Sequence, residues 1–172
     1  MLGSTGNDTI SASVSGSTLT VTVNGSPSTF TVYTGTSLFV NGEAGDDTIS
    51  GDSTVTIPTV MFGAGGNDSI TGGAGQDYIN GGGANDTVFG GASADFIAGA
   101  GGHDSLGGGS GNDTLIAGSS GGETLSAGSG TNLFISDQGI ADSLASLGTG
   151  DSGYYDNGPS VYDSISGTIT LL

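Results

Sequence analysis

Six aspartates recur at a strict nine-residue interval: Asp68, Asp77, Asp86, Asp95, Asp104 and Asp113. No other acidic residue falls between Gly63 and Gly122. A solvated acidic face scatters its carboxylates, whereas a fixed period puts each one at the same point of a repeated unit. Uniform units do not supply the two unlike environments that a general acid and a general base require, so the row does not read as catalytic. Repeated carboxylate oxygens are the chemistry of a hard cation. Ca²⁺ accepts six or more oxygen donors in loose geometry, while Mg²⁺ demands a near-ideal octahedron. One histidine and no cysteine fit zinc poorly.

The units that carry the aspartates are GAGGNDSIT (63–71), GGAGQDYIN (72–80), GGGANDTVF (81–89), GGASADFIA (90–98), GAGGHDSLG (99–107) and GGSGNDTLI (108–116). They share the frame Gly-Gly-x-Gly-x-Asp-x-U-x, with U a large apolar residue; Ala64, Ala84, Ser93 and Ala100 each replace one glycine of it. On these residues the chain resembles the RTX family of calcium-binding secreted proteins. Weaker copies flank them. GSTGNDTIS (3–11) and GEAGDDTIS (42–50) keep the aspartate as Asp8 and Asp47. After one extra residue, Ala117, GSSGGETLS (118–126) puts Glu123 in its place, and AGSGTNLFI (127–135) puts Asn132 there. Glutamate is longer and asparagine is neutral, so both depart from the pattern. The resemblance covers residues 42–135 and, as an isolated unit, residues 3–11.

The resemblance implies an all-β fold: a right-handed parallel β-roll, a β-solenoid with Ca²⁺ between its turns. In that family each nonapeptide is a six-residue loop and a three-residue strand, and two nonapeptides make one turn. Repeat parity then divides the U residues into two inward columns, Ile70, Val88, Leu106 and Leu125 against Ile79, Ile97, Leu115 and Phe134. The same parity places Asp47, Asp68, Asp86, Asp104 and Glu123 on one edge, and Asp77, Asp95, Asp113 and Asn132 on the other. The metal ligands it implies are Asp68, Asp77, Asp86, Asp95, Asp104 and Asp113, with Asp47 and Glu123 in the flanking copies. Loop carbonyls at the first and third positions complete the set: Gly63 and Gly65, Gly72 and Ala74, Gly81 and Gly83, Gly90 and Ala92, Gly99 and Gly101, Gly108 and Ser110. Adjacent turns lie about 4.8 Å apart. Two bare carboxylates at that distance repel by about 3.5 kcal/mol at an effective dielectric of about 20. A cation between successive turns reverses the sign.

Composition narrows the function classes. The chain has 172 residues, 37 of them glycine, and 17 acidic residues with no lysine or arginine, a formal charge of −17. Nucleic-acid binding by phosphate neutralisation has nothing to work with, and attraction to anionic lipid is excluded for the same reason unless calcium bridges the two. Calcium bridging leaves cell-surface polysaccharide open as a partner. Absence of cysteine removes disulfides as staples, and metal is the usual substitute. MLGSTGNDTI has neither the basic nor the apolar region of a cleaved signal peptide, and no apolar run reaches membrane-spanning length. The resemblance implies an extracellular or cell-surface location, reached by a type I-like route. The terminal SISGTITLL (164–172) reads either as the uncleaved export signal of that route or as a last strand.

Three segments are expected: an N-terminal repeat and β-hairpin cap (1–41), the RTX roll (42–135), and an irregular, β-rich C-terminal cap (136–172). TLTVTV (18–23) and TFTVY (29–33) alternate apolar and polar residues around the turn signal NGSPS (24–28), with a third cap strand near SLFVN (37–41). GDSTVTIPTVMF (51–62) reads as a half-turn without a calcium loop, with strand texture in TVTI and TVMF. DSLASL (142–147) reads as a short helix. His103 occupies the variable fifth loop position and reads as a surface residue. Tyr154, Tyr155 and Tyr162 read as cap core. The third and fifth loop positions form no flat threonine rank, so ice binding is not expected. The chain reads as no enzyme. It reads as an extracellular structural protein that folds on calcium and self-assembles into a filament, sheath or surface layer. Head-to-tail contact through residues 18–41 and 161–172 is the expected mode. The competing reading is a calcium-driven folding and secretion module of a larger toxin, protease or adhesin.

Overall fold

The computed structural model describes residues 2–118, 122–136, 143–145, 150–154, 164–165 and 170–171. Among these residues there is no helix. The strands are β1 (Thr9–Ser15), β2 (Thr18–Val23), β3 (Ser26–Thr31), β4 (Leu38–Ala44), β5 (Thr48–Gly51), β6 (Thr59–Gly65), β7 (Ser69–Gly73), β8 (Tyr78–Gly83) and β9 (Thr87–Ala92). They continue as β10 (Phe96–Gly101), β11 (Ser105–Ser110), β12 (Thr114–Gly118), β13 (Thr124–Ser129), β14 (Leu133–Ile135), β15 (Ser143–Ala145), β16 (Ser152–Tyr154), β17 (Ser164–Ile165) and β18 (Thr170–Leu171).

They form two sheets, in the orders β17-β15-β13-β11-β9-β7-β5-β1-β2-β3 and β18-β16-β14-β12-β10-β8-β6-β4. From β4 onward the chain switches sheet with every strand, so two strand-and-loop units make one turn of a parallel β-solenoid. Among the described residues, antiparallel pairing occurs only where β2 joins β1 and β3 joins β2.

The U residues close the interior. Ile10, Ile49, Ile70, Val88, Leu106, Leu125 and Leu144 stand in register across the first sheet. Val40, Met61, Ile79, Ile97, Leu115 and Phe134 do so across the second. None is more than 2 % exposed. Alternation along a strand sends the neighbours of each U residue outward, and burial of one apolar side chain per strand contributes about 1.5–3 kcal/mol.

The N-terminal unit, isolated in sequence, is not isolated in space. β1 pairs in parallel with β5, Ile10 against Ile49. The hairpin turn is shorter than NGSPS suggests: β3 begins at Ser26, leaving Asn24 and Gly25 with φ of 49° and 79°. Two left-handed residues with an Asn-Gly sequence are the favoured two-residue connection, because its twist matches that of the strands. Pro27 is tolerated because β3 is an edge strand.

Three further sequence expectations need correction. SLFVN is not a third cap strand; it lies in β4, the first strand of the second sheet, because Val40 has Met61 to pair with. TVTI (54–57) is not a strand. Thr54 donates from its main chain to Asp52 Oδ1 (2.8 Å) and Val55 N–H bonds Asp52 O (3.0 Å), which closes a turn and drops Val55 into the core. DSLASL is not a helix where it is described: Ser143–Ala145 is a strand, held by Leu125 against Leu144. Residues 142, 146 and 147 lie outside the described residues, as do Tyr155 and Tyr162. Of the terminal SISGTITLL, Ser164–Ile165 and Thr170–Leu171 are strands.

Glycine is demanded at the second loop position. Gly73, Gly82, Gly91 and Gly109 have φ of 136°, 119°, 116° and 106° there, where L residues rarely go. Ala64 and Ala100 hold the same position only by retreating to 82° and 79°. A Cβ on Gly82 would overlap the carbonyl of Ala64 in the turn before. Gly82→Ala should therefore destabilise the calcium-loaded protein by about 2 kcal/mol, read as a lowered denaturation midpoint in excess calcium. An unchanged midpoint would show that the loop relaxes freely.

Candidate metal centre

Each aspartate of the repeat sits at the end of its loop, immediately before its strand, and its two oxygens do different things. In the first column, main-chain N–H groups donate to the carboxylate one turn later: Asp8 to Asp47 Oδ1 (2.7 Å), Asp47 to Asp68 Oδ1 (2.8 Å), Asp68 to Asp86 Oδ1 (2.8 Å) and Asp86 to Asp104 Oδ1 (2.8 Å). The second column does the same: Thr59 to Asp77 (2.8 Å), Asp77 to Asp95 (2.9 Å), Asp95 to Asp113 (2.9 Å), Asp113 to Asn132 (2.8 Å) and Asn132 to Asp151 (2.8 Å). Thus Oδ1 closes the loop of the preceding turn. Oδ2 points the other way. In Asp47, Asp68, Asp77, Asp86, Asp95, Asp104 and Asp113 it is buried with no hydrogen-bond partner.

The first-position glycines make room for it. A Cβ added at Gly63, Gly72, Gly81, Gly90, Gly99 or Gly108 would overlap the Oδ2 of the aspartate five residues on. At five of these the same point is crowded by a main-chain carbonyl of the next turn: Gly81 O beside Gly63, Gly90 O beside Gly72, Gly108 O beside Gly90, Ala117 O beside Gly99 and Ala127 O beside Gly108. Carboxylate and carbonyl oxygens from neighbouring turns thus converge without a donor between them. The third position behaves differently. Gly65 O accepts from Gly45 N–H (2.8 Å) and Gly83 O from Gly66 N–H (3.2 Å), so these carbonyls tie turns together. Ala74, Ala92, Gly101 and Ser110 occupy the same third place in their loops. Among the described residues, no three His, Cys, Asp or Glu side chains converge on one point. A cation here would draw on one or two carboxylates and on main-chain carbonyls, an all-oxygen set that suits Ca²⁺.

Burial is the leading influence on these carboxyls. It raises the pKa of Asp47, Asp68, Asp77, Asp104 and Asp113 above the ordinary value of 3.8, against the hydrogen bond from the preceding turn. Asp86 and Asp95 are pushed up to about 7, with the like charges of their column neighbours adding to burial. Asp8 goes the other way. Ser4 N–H donates to its Oδ2 (2.5 Å) and Asn24 Nδ2 to its Oδ1 (2.5 Å), which lowers its pKa. Asp8 is the satisfied end of its column.

Glu123 and Asn132 both take the predicted aspartate places, each almost fully buried, and Thr124 N–H bonds Asp104 O as in the other turns (2.8 Å). Sequence reasoning missed Thr59, which fills the aspartate place in the irregular half-turn, Asn24, which closes the first column, and Asp151, which extends the second. It also missed a second ladder at the fifth loop position, which runs with opposite polarity. Asn7 Oδ1 accepts from Asp46 N–H (2.9 Å), Asp46 Oδ1 from Asn67 (2.7 Å), Asn67 Oδ1 from Asn85 (3.0 Å) and Asn85 Oδ1 from His103 (2.8 Å). His103 donates the last of these four bonds, and its ring lies beside Gly122.

The family model of the RTX calcium-binding nonapeptide repeat matches four copies in this chain, at residues 39–53, 60–88 and 81–115. Over those residues the roll is built of RTX calcium-binding nonapeptide repeats. No curated protein and no solved structure matches the chain. The RTX repeats make this a calcium-binding β-roll, of a repeat class that is typically non-catalytic and typical of secreted proteins. Among the described residues no helix is long and apolar enough to cross a membrane.

The raised pKa values set a pH dependence in chelator. A folded-state pKa above the unfolded one stabilises the fold in full below the unfolded value, near 3.8, and the contribution is lost as pH rises through about 7. Without calcium, RTX β-structure should therefore increase as pH falls from about 8 to about 5. Far-UV circular dichroism in excess chelator checks this; β-signal that falls on acidification would contradict it.

Proposed function

We propose that this chain is an extracellular structural protein that folds when calcium binds between the turns of its roll and then self-assembles into a filament, sheath or surface layer. The observation that carries the calcium part is the periodic row of buried, unpartnered Oδ2 atoms. A buried carboxylate oxygen without a partner is strongly disfavoured, and seven of them repeat at one point of the fold. The best sites lie between Asp68 and Asp86, Asp86 and Asp104, Asp77 and Asp95, and Asp95 and Asp113, with first-position carbonyls as further donors. Bound calcium supplies the positive charge that these oxygens lack. The residues themselves fix the spacing, because Oδ1 is already committed to the neighbouring loop.

Export fits such a chemistry. Extracellular calcium modules bind at about 10⁻⁴–10⁻³ M, far above cytosolic calcium, so the chain would stay unfolded until outside. With a formal charge of −17, cation binding also removes much of the self-repulsion that opposes compaction.

Calorimetric titration should find several Ca²⁺ per chain, and circular dichroism should show β-structure appearing with calcium and absent in chelator at neutral pH. A single ion, or a strong β-spectrum that calcium leaves unchanged, would sink the reading. Asp86→Ala should damage two sites, since Asp86 is shared by the turns before and after it. Asp86→Asn separates scaffold from charge: asparagine can still accept from Asp68 N–H, so the roll should form in high calcium while stoichiometry falls by about two. Electron microscopy in millimolar calcium addresses assembly, where ordered fibres or sheets are expected and dispersed monomers would remove the structural role.

A further inference from the structure

The two sheets do not end together. Beyond β1 the first sheet continues into β2 and β3, while the second stops at β4. β3 is the outermost strand of the first sheet at this end, and all six of its residues are exposed. The step leaves a recess of about 290 Å³ lined by Leu19, Val21, Phe30, Leu38 and Phe39. Large apolar side chains are exposed at the same end: Leu2 is 60 % exposed, Phe30 49 %, Tyr33 72 % and Phe39 48 %. Leu2 is bridged to Asn41 of β4, and Tyr33 lies on the link from β3 to β4, so all four belong to one end of the roll.

Charge distribution says what can meet this end. The protein carries 17 acidic residues and no basic ones, yet none lies between Asp8 and Glu43. The recess and both hairpin strands fall wholly within that uncharged stretch, and β4 leaves it only at Glu43. Another copy approaching elsewhere along the roll brings acidic repeats against acidic repeats, and like-charge juxtaposition costs several kcal/mol. Approach through this end does not.

We propose that the N-terminal end of the roll is a contact surface for a second copy of this chain, with the same end of both copies meeting. The surface is self-complementary in kind, since it offers both the recess and the projecting Tyr33 and Leu2. A two-fold contact of this sort repeats each interaction twice. It also sets the free edge of β3 antiparallel to its counterpart, which satisfies main-chain groups that an edge strand leaves open. Pro27 lacks a donor, which confines that pairing to residues 28–31. The inference rests on the self-assembly reading above and names where the first contact forms.

Sedimentation velocity in millimolar calcium tests it. The intact chain should sediment as pairs or as larger species built from pairs, at no less than twice 16.4 kDa. Phe30→Ser with Tyr33→Ser should weaken the pair by about tenfold or more, with unchanged circular dichroism and calcium stoichiometry. Ser28→Asp puts an acid on the uncharged face; it should weaken pairing at low salt and recover at high salt. Ser105→Asp, on the outer face of the roll, should leave pairing intact. If the chain associates but neither Phe30/Tyr33 nor Ser28 changes matter, the placement is wrong while self-assembly stands. If the calcium-loaded chain stays monomeric at high concentration, both fall, and the calcium sites are untouched.

Discussion

An aspartate that serves two turns at once is the interaction on which the roll depends. Its Oδ1 accepts the loop N–H of the turn before, a charge-assisted bond stronger than a neutral one. Geometry then sends Oδ2 into the protein, where no donor waits for it. The bond that stacks the turns and the buried charge that strains them belong to one side chain. Asn132 shows that the two roles are separable. It accepts from Asp113 N–H at 2.8 Å, as an aspartate would, and brings no negative charge. An asparagine in every turn would stack the roll without buried anions. The carboxylates therefore make sense only if something positive joins them, as the RTX repeats of this chain imply.

Glycine content follows from the same arrangement. The first-position glycine yields the volume that Oδ2 occupies, so a methyl group there would evict the carboxylate. The second-position residue must turn the chain with positive φ. Alanine manages this near 80° and glycine spreads beyond 100°. Loops so rich in glycine lose much conformational entropy on folding, and the interior behind them is only one apolar residue deep per strand. Such a fold is poised to need an added contribution from outside the chain.

The period made most of this legible. Register of the U columns and the parity of the aspartates followed from counting nines, because a solenoid repeats in space what it repeats in sequence. Where counting slips, reading fails. Asp151 lies nineteen residues after Asn132, and its strand carries Gly153 where U should be, so nothing apolar announced it. Asn24 and Thr59 fill column places without belonging to a nonapeptide; only their hydrogen bonds reveal them. TVTI and DSLASL were misjudged on local texture. Val55 is buried from a turn rather than a strand, and Leu144 is claimed by the column of Leu125. The fifth loop position looked free because its side chains vary, yet Asn67 and Asn85 hold neighbouring turns through Oδ1.

Two ladders of opposite polarity therefore run side by side along the roll. At the sixth position the later turn supplies the acceptor, and at the fifth the earlier turn does. Each turn is clasped from both sides by its immediate neighbours and by nothing farther away. Stability in such a chain is a sum of nearest-neighbour terms, and an ion held between turns adds to that same term. Cation binding and folding then become one equilibrium instead of two. The ends obey a different rule, since a terminal turn lacks one neighbour. At the N-terminal end Ser4 and Asn24 supply protein donors to both oxygens of Asp8, so the column closes there without a cation. Beyond it the chain carries no charge until Glu43. The end of the roll is thus built on hydrogen bonds and apolar contact, whereas its body is built on charge.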